Sequence, residues 1–167
     1  NEEAATNDRR PLFGFFATIT SHMPFTPTPP YQHDWTRLLS STPYDEDITL
    51  LTDNSPLDWN NLGPVYAKAI AYDLHLISDF LAITAHQGPL IIALGDHQPP
   101  SIVAGTGAPW MVPVHIFAQE AELLEPFASS GFQKGLYPNG PVVGRLDQLH
   151  GLILRALDSD WQITHRE

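Results

Sequence analysis

Proline sets the first limit on how this chain can fold. Seven prolines (Pro24, Pro27, Pro29, Pro30, Pro43, Pro56 and Pro64) fall between Met23 and Pro64. Each lacks a backbone N–H and fixes its own φ, so no long helix or central strand can run through this stretch. Trp35 to Leu39 has room for one or two helical turns. The rest, about 23–64, is a long irregular loop, and a loop of this length inside a compact domain usually carries function or packs against something else.

Around the loop, regular structure is predicted from apolar patterning. Leu12 to Ile19, LFGFFATI, is aromatic and β-branched and follows Pro11, which predicts a buried strand. Tyr66 to Ala85 predicts an amphipathic helix: Lys68, His75 and Asp79 share one face, Pro64 precedes it, and Gly88-Pro89 follows it. Leu90 to Leu94 and Val112 to Phe117 predict two further strands, and Arg145 to Leu157 a last helix weakened by Gly151. The strands are continuously apolar rather than alternating. That predicts an α/β fold whose sheet is flanked by helices on both faces. The organisation expected is a polar lead-in at 1–10 and one α/β domain at 11–167.

The balance of 8 Lys and Arg against 19 Asp and Glu gives a formal charge of −11, which repels nucleic acid and anionic membrane surfaces. No nucleic-acid partner is expected. The chain has no cysteine, so disulfides, thiolate ligands and cysteine nucleophiles are excluded. No apolar run reaches the roughly 18 residues of a membrane span, and the opening NEEAATNDRR has no signal-peptide core. That polar start runs abruptly into an apolar strand, and three strands make a small sheet for the length. The expectation is therefore a soluble piece of a larger protein.

The chemistry concentrates at Leu90 to Pro100, LIIALGDHQPP. Within a strand, neighbouring side chains point to opposite faces and cannot grip one ion. Past the strand end this limit lifts: Gly95 frees the backbone, and Pro99-Pro100 keeps the chain from re-entering a ladder. Asp96 and His97 can then converge on one cation, where α/β sheets place ligands beyond strand ends. Hard oxygen plus imidazole suits Zn²⁺ or Mn²⁺. The alternative is a turn-forming Asp96 beside a hydrogen-bonded His97. Two ligands do not complete a site, so further donors must come from elsewhere.

IIALGDHQPP resembles the strand-end motif of the sulfatase branch of the alkaline phosphatase superfamily, which includes lipoteichoic-acid-synthase-like phosphoglycerol transferases, phosphoethanolamine transferases and arylsulfatases. PLFGFFATITSHMPF resembles that branch's earlier strand ending in a Ser-His-x-Pro type sequence. VYAKAIAYDLHLISDFL is similar to the helix before the metal strand, and MVPVHIFAQ to the strand after it. The matches cover roughly residues 11 to 120, in family order. The resemblance implies a partial alkaline-phosphatase-like fold, with Asp96 and His97 as ligands of a divalent metal (Zn, Mn, Mg or Ca) and His22 as the histidine that contacts the phosphate or sulfate of the substrate. It also implies a parent hydrolase or transferase acting on small-molecule, lipid or glycan esters, at the extracytoplasmic (periplasmic) face of a membrane to which the parent is anchored. The family's nucleophile and upstream acidic ligands have no counterpart here, so no catalytic nucleophile is expected within this chain. Its partner would be the missing N-terminal half of the same catalytic domain, and alone it should not complete a turnover. A non-catalytic binding or assembly domain that keeps the fold is the rival reading.

The remaining candidates have plainer readings. A self-contained Ser21–His22 hydrolase lacks a third member. His33-Asp34 reads as a solvated loop pair, His75 as exposed, His86 as a helix-end group, and His115 as a core histidine; His150 and His165 carry no motif. Asp73 is turned away from the polar helix face and reads as a buried structural hydrogen-bonder. The acidic run Tyr44 to Asp53 lacks calcium-loop spacing and reads as solvated surface. Trp35, Trp59 and Trp110 read as packing for loops, with a pocket lining as the rival.

Overall fold

The computed structural model of the chain describes residues 12–52 and 55–158. The polar lead-in at 1–10 and His165 lie outside them. Helices dominate, with a small sheet: α1 (Ile48–Leu51), α2 (Gly63–Thr84), β1 (Ile91–Leu94), α3 (Ser101–Ala104), β2 (Val114–Phe117), α4 (Glu125–Ser129) and α5 (Leu149–Leu157). Short 3-10 turns at Trp35–Leu39, Ala85–Gln87, Ala121–Leu123 and Leu146–Gln148 punctuate the order. None of the described helices is long and apolar enough to cross a membrane.

The spine is α2, with 22 residues. It begins three residues before the predicted Tyr66, because Pro64 sits inside the first turn, where its missing N–H is no loss. Its end follows the expected punctuation. Gly88 takes a left-handed φ of 60° and its N–H bonds the Ala85 carbonyl at 3.1 Å, and Pro89 then starts the run into β1.

β1 and β2 pair antiparallel, with Ile91 opposite Phe117 and Leu94 opposite Val114. Both strands form where the apolar runs predict them, each shorter by one or two residues at its start. Gly95 extends the pairing by donating to the Pro113 carbonyl at 3.2 Å, and a Cβ there would stand 3.4 Å from the Cβ of Val112.

The third predicted strand does not form. Residues 12–18 have no regular structure, and Leu12 and Phe13 are 94% and 89% exposed. Aromatic and β-branched residues favour a strand only when a neighbour supplies ladder partners and a face to pack on. Among the described strands, β1 and β2 pair with each other and with no third strand. The sheet is accordingly two-stranded and half-buried, smaller than the apolar runs predict.

The proline-rich stretch is irregular, as expected, but it does not float. Phe25, at 2% exposure, enters a core with Leu62 and Ala69, onto which Leu57, Val65, Tyr66 and Val103 pack. The Phe25 and Tyr66 rings meet edge to face with centroids 5.1 Å apart. Phe25 holds a left-handed φ of 67°, an unfavourable geometry for a side chain of its bulk, and its burial offsets that strain. A second buried spot lies toward the C-terminal end, where Phe127 of α4 and Ala156 of α5 are enclosed and Phe132 meets the Phe127 ring.

Candidate functional site

Asp96 and His97 sit just past β1, in the bend between the strand and α3. Asp96 Oδ1 accepts the backbone N–H of His97 at 2.9 Å, so the carboxylate braces the bend. Its other oxygen, Oδ2, lies 3.6 Å from His97 Nε2, with side chains 86% and 64% exposed. The Nδ1 of His97 meets the Gln98 carbonyl at 2.8 Å. A carbonyl only accepts, so Nδ1 carries the proton and the Nε2 lone pair of the neutral ring is left for a cation. Two donors on one tetrahedral Zn²⁺ stand about 3.3 Å apart for bonds of about 2.0–2.1 Å, so the observed separation fits a shared ion after a small closure. The Gln98 side chain donates to the Met111 carbonyl and ties the bend to the segment leading into β2.

His22 lies in a turn where its N–H bonds the Ile19 carbonyl at 3.0 Å and its carbonyl accepts from Phe25 at 2.9 Å. It is exposed, and its Nδ1 donates to the Met23 carbonyl at 2.8 Å. Its Nε2 therefore donates only when the ring is cationic, the state that suits an anionic oxygen. Asp96, His97 and His22 are each held by bonds to residues within three positions in sequence.

A different group gathers where the proline-rich stretch crosses α2. The ligand atoms of His33, His75 and Asp79 all lie within 4.8 Å of one another, the one such group of three among the described residues. On α2, His75 and Asp79 are four positions apart and so share a face, with Nε2 3.8 Å from Oδ1. His33 comes from the loop. Tyr31 beds the group: its ring stacks on His75 at 4.1 Å and 5°, meets His33 edge-on at 5.1 Å, and its hydroxyl donates to Asp79 Oδ2 at 2.7 Å. Tyr72 closes the other side of Tyr31 at 5.4 Å. Burial of the phenol, then its bond to Asp79, push its pKa from 10.0 up to about 12, against a smaller lowering by the Trp35 side chain. Asp79 thus keeps a neutral donor on one oxygen.

His33 and Asp34 are both exposed loop residues, as read, but each has a local partner. His33 packs on Tyr31, and Asp34 caps the Trp35–Leu39 turn by accepting from the Thr36 N–H at 3.1 Å. The Thr36 side-chain bond holds the Asp34 carboxyl below its ordinary value. His75, though half-exposed, is stacked rather than free in solvent. Sequence spacing did place His75 and Asp79 on one face; what it could not supply was the loop register that brings Tyr31 and His33 over them.

The readings of Asp73, the acidic run, Trp35 and His86 hold, whereas that of Trp59 and Trp110 as packing residues does not. Asp73 is 7% exposed and Thr18 Oγ1 donates to its Oδ2 at 3.2 Å, while its Oδ1 is buried without a partner. The described part of the acidic run is surface: Asp45 pairs with Arg37 at 2.7 Å, and Asp47 caps α1. Trp35 packs on Phe80 at 6.3 Å, whereas Trp59 and Trp110 are exposed. His86 lies in the turn ending α2, and His115 is half-buried on β2 beside Phe117.

Comparison of the chain with protein families, curated proteins and solved structures yields no match.

Proposed function

We propose that this chain is the C-terminal part of a metal-dependent, sulfatase-like hydrolase or phospho-group transferase with a partial alkaline-phosphatase-like fold. The observation that carries the reading is the bend after β1. There Asp96 and His97 present two exposed donors 3.6 Å apart, with Nδ1 of the imidazole bonded to the Gln98 carbonyl and Nε2 beside Asp96 Oδ2. Support also comes from the order of the Ser-His-x-Pro, helix and Asp-His segments along the chain.

Asp96 and His97 would hold a divalent cation, which as a Lewis acid would polarise the ester oxygen of a phospho- or sulfo-ester. The His22 imidazole would bind a non-bridging oxygen and stabilise the charge that grows there in the transition state. The exposure of all three matches a site that needs a second wall. In this reading that wall, with the nucleophile and the remaining ligands, comes from sequence preceding these segments in a membrane-anchored, extracytoplasmic parent.

The test is turnover of an aryl phosphate diester and an aryl sulfate by the full-length protein. Asp96→Asn and His97→Ala should each lower it by about 100-fold or more, and His22→Ala by about 100- to 1,000-fold. Full activity in all three variants would overturn the proposal.

A further inference from the structure

The sites considered so far lie beyond β1 and in the Ser-His turn, and neither uses the group on α2. We infer that His33, His75 and Asp79 form a second, independent transition-metal site that clamps the proline-rich loop onto α2, with Zn²⁺ as the preferred ion.

The donor set selects the class of ion. Two imidazoles and one carboxylate suit Zn²⁺ and its borderline neighbours; Ca²⁺ and Mg²⁺ prefer all-oxygen cages. Geometry comes next. Donors on a tetrahedral Zn²⁺ stand about 3.3 Å apart, and here the three ligand atoms lie within 4.8 Å, with the helical pair already at 3.8 Å. His33 is exposed and is the donor with room to close the remaining distance. Among the described residues neither His33 nor His75 has a ring nitrogen in a hydrogen bond, so either nitrogen of each ring can turn to an ion.

Tyr31 provides the independent observation. Ligating carboxylates are characteristically hydrogen-bonded by an outer group that leaves one oxygen for the metal. The Tyr31 hydroxyl occupies Asp79 Oδ2, and Oδ1 is the oxygen that faces His75. The same ring lies flat on His75 and fixes its plane. One residue thus orients two of the three donors. An ion here would neutralise part of the formal charge of −11 and would join residue 33 of the loop to residues 75 and 79 of the helix. It would act as a clamp between loop and helix, and with three protein donors a further ligand would have to complete the four-coordinate set.

The test is Zn²⁺ titration of the chain by calorimetry, with melting temperature followed in zinc and in chelator. The unsubstituted chain should bind zinc and melt higher in its presence. His33→Ala and Asp79→Asn should each weaken binding by at least about tenfold and remove the melting shift, while His86→Ala, in the exposed turn after α2 and outside both sites, leaves both unchanged. Because His33 is exposed, its variant should melt in chelator as the unsubstituted chain does; His33→Gln serves as the second variant if it does not. Co²⁺ substituted for zinc should give the intense visible absorption of a four-coordinate site, lost in His75→Ala. The inference is overturned if the chain binds no zinc, if His33→Ala and His33→Gln bind it as tightly as the unsubstituted chain, or if His97→Ala alone abolishes binding.

Discussion

Two places in this molecule bring histidine and aspartate together, and they are built in opposite ways. At the bend after β1 the pair is adjacent in sequence, Asp96 beside His97, and it is exposed and held by bonds to its immediate neighbours. On α2 the residues come from a loop and a helix, and a tyrosine stacks on one donor and hydrogen-bonds another. The first arrangement is a motif without walls; the second has walls and no motif. Adjacency makes a candidate easy to read, but only packing fixes where the donors point, because an exposed side chain keeps its rotamer freedom until something is bound.

The largest expected effect tests whether packing holds the α2 cluster together. Phe25 anchors the proline-rich stretch in the core against Leu62, Ala69 and Tyr66. Phe25→Ala should cost about 3–5 kcal/mol in chemical denaturation. The left-handed φ is shared by both residues, so the loss reports burial rather than backbone strain. Zinc affinity at His33 should fall with it. A loss below about 1 kcal/mol would mean that the loop is held by something other than this anchor, and the contrast between the two sites would weaken.

A smaller effect separates the two sides of α2. Asp73 faces Thr18, on the segment that leads into His22, and lies away from His75 and Asp79. Thr18→Val keeps the shape and removes the donor, leaving a buried carboxylate with neither oxygen bonded. The expected cost is about 1–3 kcal/mol, read by thermal or urea unfolding, with zinc binding at the cluster unchanged. An unaltered stability would show that the Thr18 bond does not hold the Ser-His turn to the helix.

Smaller again is the effect of removing only the hydroxyl that orients Asp79. Tyr31→Phe keeps the ring on His75 and frees Oδ2. Zinc affinity should fall about tenfold, less than on loss of a ligand. If it falls as far as in Asp79→Asn, Tyr31 is itself a ligand rather than a positioning residue.

How far the sequence predicted these features follows from range. α2 and the two strands were legible because helix period, apolar runs and Gly/Pro punctuation are local signals, and their ends moved by only a few residues. The Leu12 to Ile19 strand was misread, since its residues match a strand but the described chain places none beside it. Asp96 and His97 were legible as a bend because glycine and proline bracket them. The α2 cluster was half legible: the spacing of His75 and Asp79 gave their shared face. The approach of Tyr31 depends on how a proline-rich loop settles onto a core, and no local pattern encodes that path. A tyrosine two residues before a histidine in that loop was the only hint.

The subtlest expectation concerns alkaline pH, and it isolates the Tyr31–Asp79 bond without any metal. Tyr31 is raised to about 12, first by burial and then by Asp79, while the ordinary value is 10.0. A phenol whose folded pKa exceeds its unfolded one stabilises the fold fully below pH 10; that contribution drains away as pH climbs through about 12, because the unfolded chain ionises first. Ultraviolet titration of tyrosinate should therefore show a phenol lagging toward 12, beside the raised Tyr66 and Tyr72, and that component should be absent from Tyr31→Phe. In Asp79→Asn the lagging phenol should shift partway back, since the bond and the negative charge are removed while burial remains. If Asp79→Asn leaves the lag untouched, burial alone sets the phenol, and the carboxylate of the cluster is not oriented by Tyr31 in the way that separates this site from the bend after β1.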